Sequence, residues 1–505
     1  MPLPEPDPTL CRALAADLDA AGYRTDALRD AWGTAADGVL GRGHALPARR
    51  RLSGEPGALA VVARLFGLGD PVTVAEASAT FTASGVDGLV RLGLARRDGD
   101  TVCALALIRP QAFADAAGEG EWWIASDLDE AALGGPLPAD HVLGVGRASL
   151  TLAGLALPDP VDRVLDLGCG CGIQALWARR AAASVVATDV SQRALRFTRL
   201  NALLNDVDGI DTRCGDLFAP VAGERFDRVV SNPPFVITPR DGDVPEYEYR
   251  DGGRTGDGLV AEVIAGAAGH LTPGGTAVLL GNWESRDGIA GLDRVRAWVD
   301  ATGLDAWVLE REVLDPVAYA ELWIRDGGTV PGTPAYDRLL GAWLGDFAAR
   351  GVAEIGFGYV LLRRPVSGAP TLARYERVMQ PLADRALGEH LGRCLAAHDR
   401  LVTLDDAGLA ASRLVVAGDV TEARHHLPGA ASPSVIELHQ GGGFGRVIPV
   451  DPALAALVGS CDGDLALGAL IAAVAELMEV DAASLRAELL PRVRDLLLVG
   501  VLTFA

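Results

Sequence analysis

Residues 163–172 read Arg-Val-Leu-Asp-Leu-Gly-Cys-Gly-Cys-Gly, and this stretch decides the fold. Its apolar first half is typical of a buried parallel strand, and its alternating glycines predict a tight turn. Residues 173–180 then have the composition of a helix. A strand, a glycine turn and a helix in this order predict one unit of an α/β fold in which main-chain amides face a ligand. Gly168, Gly170 and Gly172 allow close approach because they have no Cβ atom.

Two acidic residues follow the glycine turn, each near the end of a further predicted strand. The strand 184–189 ends at Asp189, about 20 residues beyond the turn, where an acidic side chain commonly accepts hydrogen bonds from ribose hydroxyls. A shorter strand that starts at Asp211 leads to the second acid, Asp216. The turn and the two acids together predict a site for a nucleoside cofactor.

The next predicted strand runs into Ser-Asn-Pro-Pro-Phe at residues 231–235. Pro233 and Pro234 have no amide hydrogen, so the carbonyls and the Asn232 side-chain oxygen can face a ligand as hydrogen-bond acceptors. Phe235 adds a flat face on which a planar group can stack. This motif predicts a pocket for a planar NH2 group. The alternative is a proline-terminated strand that simply enters a surface loop.

Taken in this order, the motifs resemble those of class I S-adenosylmethionine-dependent methyltransferases, over residues 140–365. The Asn-Pro-Pro-Phe signature is similar to that of the amino-methylating branch, which includes release-factor glutamine methyltransferases and ribosomal RNA guanine or adenine N-methyltransferases. The resemblance implies S-adenosyl-L-methionine as the cofactor and an α/β, Rossmann-like, seven-stranded core. Nicotinamide-dependent Rossmann enzymes share the glycine turn and the first acid, but they do not explain Asn-Pro-Pro-Phe.

The resemblance also implies a role for each motif residue. Asp166 and the glycine turn would hold the methionine part of the cofactor, and Asp189 would hold its ribose. Asp216 and the Leu217 amide would hold the adenine. The implied cofactor-binding set is Asp166, Gly168, Gly170, Gly172, Asp189, Asp216, Leu217 and Asn232. The implied catalytic set, which would hold the target nitrogen, is Asn232, Pro233, Pro234 and Phe235. No metal is implied.

A glycine-rich segment, residues 247–259, follows the motif and contains a Gly-x-Asp-Gly-Leu element similar to one in the glutamine methyltransferases. Its Tyr- and Arg-rich start departs from that pattern. A long segment beside an active site predicts a lid, although an ordinary loop is the alternative. Arg250 and Arg254 are candidate contacts for a carboxylate or phosphate of the substrate. Strands 305–310 and 355–362, with one helix between them, complete the predicted sheet.

A chain of 505 residues predicts about three domains. Residues 1–120 are interpreted as a winged-helix-like recognition domain, because three predicted helices precede a strand pair. Residues 121–366 form the predicted methyltransferase core. Residues 367–505 are interpreted as a C-terminal domain that is winged-helix-like and peptide-binding.

The formal net charge of −22 argues against non-specific nucleic-acid binding, which needs a cationic surface. A protein or peptide substrate is therefore favoured over RNA. No apolar run reaches membrane-spanning length, so a cytoplasmic protein without a membrane partner is predicted. Three alternatives stay open: an rRNA base methyltransferase, a methyltransferase of a natural-product carboxylate or hydroxyl, and a cofactor-binding scaffold without turnover.

Overall fold

The computed structural model describes residues 3–41, 43–115, 118–135, 137–240, 244, 250–382 and 387–505. The chain forms two compact units, residues 1–153 with 159–376 and residues 154–158 with 377–505. The division into domains at residues 120 and 366 stays a prediction. Within the described ranges, no helix is both long enough and apolar enough to cross a membrane.

The first part of unit one is a layer of short helices followed by antiparallel strands. Its helices are α1 (Pro8–Ala20), α2 (Thr25–Trp32), α3 (Thr34–Leu40), α4 (Leu46–Leu52), α5 (Ala58–Val62), a π-helical turn (Ala63–Gly67), α6 (Val74–Thr80), α7 (Gly85–Arg91) and α8 (Glu130–Leu133). Its strands are β1 (Val72–Thr73), β2 (Ala95–Asp98), β3 (Thr101–Ala104), β4 (Leu107–Asp115) and β5 (Gly118–Ser126). Strands β1, β3 and β2 form one sheet in that order, and β4 pairs with β5. The predicted helices and strand pair are present, but the winged-helix interpretation stays a prediction.

The second part of unit one is a sheet with helices on its faces. Its helices are α9 (Arg147–Leu155), α10 (Ile173–Arg179), α11 (Gln192–Leu204), a 3₁₀ turn (Ala219–Val221), α12 (Gly258–His270), α13 (Gly291–Asp300), α14 (Pro316–Asp326) and α15 (Pro334–Ala349). Its strands are β6 (Val161–Leu167), β7 (Ala182–Asp189), β8 (Ile210–Cys214), β9 (Phe226–Ser231), β10 (Leu271–Arg286), β11 (Asp305–Leu314), β12 (Val352–Arg363) and β13 (Ala373–Arg377).

The strand order of this sheet is β13-β11-β12-β10-β9-β6-β7-β8. Strand β6 is parallel to β7 on one side and to β9 on the other. The chain therefore adds β7 and β8 on one side of β6 and then continues with β9 and β10 on its other side. In open α/β sheets a ligand binds outside the carboxyl ends of the strands at such a switch point. The predicted Rossmann-like α/β core is confirmed, and the glycine turn and the Asn-Pro-Pro-Phe motif both lie at this switch point.

Two elements of the sheet region were missing from the sequence interpretation. Edge strand β13 makes the sheet eight-stranded rather than seven-stranded. It is anchored by Asp305, whose Oδ1 accepts hydrogen bonds from the amides of Thr371 and Leu372 at 2.7 and 2.9 Å. Helix α14 is a second helix between the last two core strands. It begins at an N-cap, Asp315, followed by Pro316, which is a common helix start.

Buried polar side chains join β5 to the helix that follows Asp189. Asn201 on α11 exchanges hydrogen bonds of 2.8 and 2.9 Å with the backbone of Ala125. One turn later, Asn205 pairs in the same way with the backbone of Trp123 at 2.8 Å. These hydrogen bonds fix α11, the helix that follows Asp189, against β5.

The C-terminal unit has a hydrophobic core of its own, built from residues between 401 and 502. Its helices are α16 (Leu387–Val402), α17 (Asp406–Ala411), α18 (Pro452–Gly459), α19 (Leu467–Leu477) and α20 (Ala482–Leu498). Its strands are β14 (Arg413–Val416), β15 (Val420–His425), β16 (Val435–Gln440), β17 (Val447–Val450), β18 (Asp462–Ala466) and β19 (Leu502–Phe504). They form two sheets, β18-β14-β19 and β15-β16-β17. The peptide-binding interpretation of this region stays a prediction.

Candidate active site

The glycine turn lies between β6 and α10, and its three glycines all have left-handed backbone angles. Their φ values are 78° at Gly168, 54° at Gly170 and 83° at Gly172. A Cβ atom at Gly172 would lie 2.8 Å from the Thr198 side chain, so α11 packs directly against the turn. Apart from Gly170 itself and its two chain neighbours, the described residues place no heavy atom within 4 Å of a Cβ built at Gly170. The turn is therefore closely packed on its helix side and open at Gly170.

Asp189 ties the end of β7 to this turn. Its Oδ2 accepts a hydrogen bond from the Gly170 amide at 3.0 Å, and its Oδ1 accepts one from the Ser191 amide at 2.9 Å. Burial raises the pKa of the Asp189 carboxyl, and the backbone amides oppose the shift. A half-buried carboxylate beside the glycine turn has the position expected for a ribose-binding acid.

Asp166 lies near the end of β6 and is only 1% exposed. Neither of its carboxylate oxygens has a hydrogen-bond partner of normal geometry in the described part of the chain, although the Ala175 amide is close enough to oppose the rise in its pKa. Burial, together with the negative charge of Asp189, raises the pKa of Asp166 to about 8. A cationic group placed next to this carboxyl would favour its ionised form. Asp166 therefore fits an ammonium group, such as that of a bound amino-acid moiety.

Asp216 and Leu217 follow β8 and lie next to the Asp189 strand end. The Gly215 amide donates a hydrogen bond of 3.0 Å to the Asp189 carbonyl, which joins the two segments. Leu217 has a φ of 46°, an uncommon backbone angle for a residue with a side chain. The Asp216 side chain is 59% exposed and pairs with Arg254 at 2.9 Å. The three predicted acids therefore lie along the ends of three neighbouring strands.

The Asn-Pro-Pro-Phe motif starts directly after β9, beside the glycine turn. Leu167 and Ser231 are partners in the parallel register of β6 and β9, and the Ser231 hydroxyl donates to the Leu167 carbonyl at 2.8 Å. Asn232, the next residue, has a buried Oδ1 that no residue in the described part of the chain hydrogen-bonds. Phe235 is half-buried, and its ring centroid lies 5.4 Å from that of Phe357. The motif thus presents an unsatisfied acceptor and an aromatic face.

A small, partly open cleft lies against the motif. The residues that line it are Pro234, Phe235, Val236, Gly252, Arg254, Gly256, Asp257, Leu259 and Val260. One wall therefore comes from the motif, and the opposite wall comes from the glycine-rich segment that the sequence identified as a lid candidate.

Residues 250–257 are here called the strap. Val236 donates its amide to the Arg250 carbonyl at 2.9 Å, which pins the strap to the motif. Arg240 donates to the Asp251 carboxylate at 3.0 Å and to the Arg254 carbonyl at 3.1 Å. The Arg250 guanidinium donates to the Trp323 carbonyl at 3.0 Å, so it is engaged with α14. The predicted lid residues 247–249 lie outside the described residues.

Arg254 joins the strap to the predicted adenine site. Its guanidinium pairs with Asp216 at 2.9 Å and with Glu262 of α12 at 3.0 Å. The pairing was not predicted, because Arg254 and Asp216 are 38 positions apart in sequence. A group that binds at Asp216 has to share this carboxylate with Arg254 or displace it.

Replacement of Arg254 by Gln is expected to raise cofactor affinity about threefold, because the exposed Arg254–Asp216 pair contributes less than about 1 kcal/mol and no longer competes. The thermal midpoint is expected to change little. Calorimetric titration with S-adenosylhomocysteine measures the affinity. Glu262→Gln is the matched control, since it breaks the other Arg254 pair and leaves Asp216 engaged. A weaker affinity in Arg254→Gln would show that Arg254 helps to hold the cofactor.

Two further residues near the motif, Asn282 and Phe357, were not identified from the sequence. They lie opposite each other on the antiparallel strands β10 and β12. The rarity of asparagine, with four in the chain, was the available signal for Asn282. No local pattern marked Phe357.

Comparison with known families gives a match to the central region. Residues 147–286 match the family model of the methyltransferase small domain. This segment is similar in sequence to the methyltransferase small domain. The match supports S-adenosylmethionine as the cofactor, as the resemblance implied. The flanking residues 20–105 and 395–504 match two domains of unknown function, DUF7059 and DUF7782.

Curated relatives match part of the chain. A release factor glutamine methyltransferase of Xylella fastidiosa is 40% identical over 133 residues, which are 24% of this chain and 47% of the relative. A ribosomal protein uL3 glutamine methyltransferase of Bradyrhizobium diazoefficiens is 34% identical, over 28% of this chain and 46% of the relative. A ribosomal RNA small subunit methyltransferase C of Alcanivorax borkumensis is 35% identical, over 24% of this chain and 33% of the relative.

The chain therefore spans about half of the length of the release factor and uL3 relatives, and a third of the rRNA relative. Among solved structures, a ribosomal protein L11 methylase from Lactobacillus delbrueckii subsp. bulgaricus has a TM-score of 0.26 at 18% identity, over 44% of this chain and 81% of that chain. The predicted resemblance to S-adenosylmethionine-dependent methyltransferases, among them release factor glutamine and ribosomal RNA methyltransferases, is confirmed by the domain match and by the named relatives.

Proposed function

We propose that this protein transfers the methyl group of S-adenosylmethionine to the NH2 nitrogen of a planar amide or amino group, in a protein or peptide substrate. The observation that carries the proposal is the buried Asn232 Oδ1 at the end of β9, which has no hydrogen-bond partner among the described residues. An unsatisfied buried acceptor costs about 1–3 kcal/mol, and a donor from a bound ligand would remove that cost. The residue stands one position after Ser231, which pairs with the strand that leads into the glycine turn.

The main contribution of the protein to this reaction is to position the reacting groups. Bound S-adenosylmethionine supplies an electrophilic methyl group on a sulfonium. An amide nitrogen is a poor nucleophile because its lone pair is delocalised. Asn232 Oδ1 and the Pro233 carbonyl accept its two N–H bonds and thereby aim the lone pair at the methyl group. Phe235 covers one face of the planar group. The proton leaves to water after transfer, so no side-chain base is needed.

The cofactor-side residues have matching properties. Asp166, which is buried and has no hydrogen-bond partner of normal geometry among the described residues, would receive the ammonium group. Asp189 would accept from the ribose hydroxyls, and Asp216 with the Leu217 amide would contact the adenine. The open side of the turn at Gly170 leaves room for the cofactor. Along the sheet, the proposed sites for the substrate, the methionine part, the ribose and the adenine follow the strand order β9, β6, β7 and β8.

Cofactor binding near pH 7 is expected to release close to one proton, because the pKa of Asp166 is about 8 in the free protein and an adjacent ammonium lowers it. Affinity should therefore rise with pH and level off above about pH 8. Calorimetry in buffers of different ionisation enthalpy counts the protons. Asp166→Asn should abolish the release, whereas Asp216→Asn should retain it. Equal proton release by wild type and Asp166→Asn would contradict the assignment.

A protein or peptide substrate is supported by two observations. The net charge of −22 disfavours the cationic surface that RNA binding uses. Relatives that match at 40% and 34% identity are named for glutamine methylation of release factors and of ribosomal protein uL3. The relative named for rRNA methylation keeps RNA as the competing substrate class.

Transfer of a radiolabelled methyl group into a cell lysate, separated into protein, RNA and small-molecule fractions, tests this function. Label in the protein fraction is the expected result. Label in the RNA fraction would show that the substrate is RNA and not protein. Label in the small-molecule fraction would favour a natural-product acceptor. Absence of transfer to any fraction, together with measurable cofactor binding, would favour a scaffold without turnover.

Recognition of the substrate is assigned in this proposal to the regions outside the core, residues 1–120 and 367–505. Support for a separate C-terminal module comes from its own hydrophobic core. The acidic character of the chain favours docking of a protein over binding of nucleic acid.

A further inference from the structure

Asn282 lies on β10 just beyond the point where the parallel strand β9 ends. The last paired residues of these strands are Leu279 on β10 and Ser231 on β9. Asn232 follows Ser231 by one residue, and Asn282 follows Leu279 by three. Its side chain is 1% exposed. One amide atom lies 2.6 Å from the Tyr319 hydroxyl, and the other, placed as Oδ1, has no hydrogen-bond partner within the described ranges. Asn282 therefore presents a second unsatisfied polar atom close to the motif.

Contacts on both sides place Asn282 beside the Asn-Pro-Pro-Phe segment. The Tyr319 hydroxyl, which holds Asn282, also accepts a hydrogen bond of 3.0 Å from the amide of Ile237. Phe357, the cross-strand partner of Asn282, packs its ring against Phe235. The segment between Phe235 and Ile237 is thus held at each end by a residue that touches or pairs with Asn282.

The hydrogen-bond roles decide which atom Asn282 presents. The oxygen and nitrogen of an amide are assigned from the surrounding network. If the Asn282 nitrogen donated to Tyr319, the hydroxyl would accept two bonds, and its own hydrogen would have no acceptor among the described residues. If instead Tyr319 donates to the Asn282 oxygen, the hydroxyl donates one bond and accepts one. The 2.6 Å separation suits an O–H···O bond. The atom without a partner is then the NH2 group.

We infer that Asn282 is a specificity residue, whose NH2 group donates a hydrogen bond to the acceptor atom next to the nitrogen that is methylated. The inference rests on the proposed function, in which Asn232 accepts from that nitrogen. An acceptor at Asn232 and a donor at Asn282 are complementary to a carboxamide, which carries an NH2 group beside a carbonyl. An alkylamine has no such carbonyl and would leave the buried Asn282 donor unpaired. A site with an unpaired buried donor binds the wrong substrate much more weakly than the right one.

Asparagine-selective ¹⁵N labelling offers a direct test, because the chain has four asparagines. Each side-chain NH2 signal is assigned by its loss in the variant in which that one asparagine is replaced by aspartate. The probe is propionamide, added with S-adenosylhomocysteine present, and the comparison compound is propylamine. Asn201 and Asn205 serve as internal controls, since both are bonded to the β5 backbone. We expect propionamide to shift the Asn232 and Asn282 signals and to leave the two controls unchanged.

The possible outcomes separate the two proposals. A shift at Asn232 without one at Asn282 would overturn the role of Asn282 and leave the proposed function standing. No shift at either residue would overturn both. Equal shifts with propylamine would overturn the specificity, and shifts with adenosine but not with propionamide would move the acceptor to a nucleobase.

Two variants distinguish donation by Asn282 from a structural role. Asn282→Asp keeps the shape of the side chain but removes the NH2 donor. It should weaken propionamide binding about tenfold, measured from the shift of the Asn232 signal. Tyr319→Phe keeps the Asn282 amide but removes the hydroxyl that orients it, so a smaller loss is expected. Unchanged propionamide affinity in either folded variant would overturn the inference.

Discussion

Replacement of Asn232 by Ala is expected to slow methyl transfer by about 10²–10³-fold while cofactor binding persists. The change deletes the buried acceptor at Asn232 Oδ1 and leaves the glycine turn, Asp189 and Asp216 in place. A positioned contact that acts on the reacting group contributes about 3–4 kcal/mol to the transition state. Single-turnover transfer of labelled methyl groups, beside calorimetric titration of the cofactor, measures both quantities.

Asn232→Asp is the matched variant, because it preserves the shape and one acceptor oxygen. Its added negative charge would lie beside a positively charged sulfonium. That charge stabilises the ground state more than a transition state in which the positive charge is fading. We expect cofactor affinity at least equal to that of the wild type together with slow transfer. Wild-type rates in both variants would remove Asn232 from the reaction and move the acceptor group elsewhere.

Replacement of Asp189 by Ala is expected to weaken cofactor binding by about 2 kcal/mol or more, which is roughly thirtyfold. The substitution removes the acceptor for the ribose hydroxyls. It also removes the 3.0 Å hydrogen bond that holds the Gly170 amide, so the glycine turn loses an anchor. Calorimetric titration with S-adenosylmethionine gives the affinity.

Asp189→Asn is the control for this second prediction. The asparagine oxygen can replace one of the two acceptors, so an intermediate loss is expected. A thermal midpoint close to that of the wild type would show that the turn still folds. If Asp189→Ala stayed folded and bound the cofactor with unchanged affinity, Asp189 would not belong to the cofactor site.

The core of the fold was predictable because its signals are local in sequence. An apolar strand, a glycine turn and a helix indicated β6 and α10, and the register of β6 and β9 then places Asn232 beside that turn. Helix α14 was missed, although Asp315 and Pro316 mark its start, because one helix already accounted for the interval between the last two strands. Edge strand β13 depends on Asp305, 66 positions before Thr371, and no local pattern shows that contact.

The candidate site was only partly predictable for the same physical reason. Residue types and order identified Asp166, Asp189 and Asn232, but the unpaired state of the Asp166 carboxylate and its raised pKa depend on burial by the rest of the fold. The Arg254–Asp216 pair and the position of Asn282 depend on contacts between distant segments. Periodicity and motif spacing carry no information about such contacts.

The identity of the methylated atom tests the central claim most directly. Fragmentation mass spectrometry of the labelled product locates that atom, and mild base adds a check, because methyl esters are hydrolysed by it and N-methyl groups survive. We predict a methyl group on a planar amide or amino nitrogen that persists after base. A product that loses its label in base, or that carries the methyl group on a hydroxyl oxygen, would contradict the amino-methylation account.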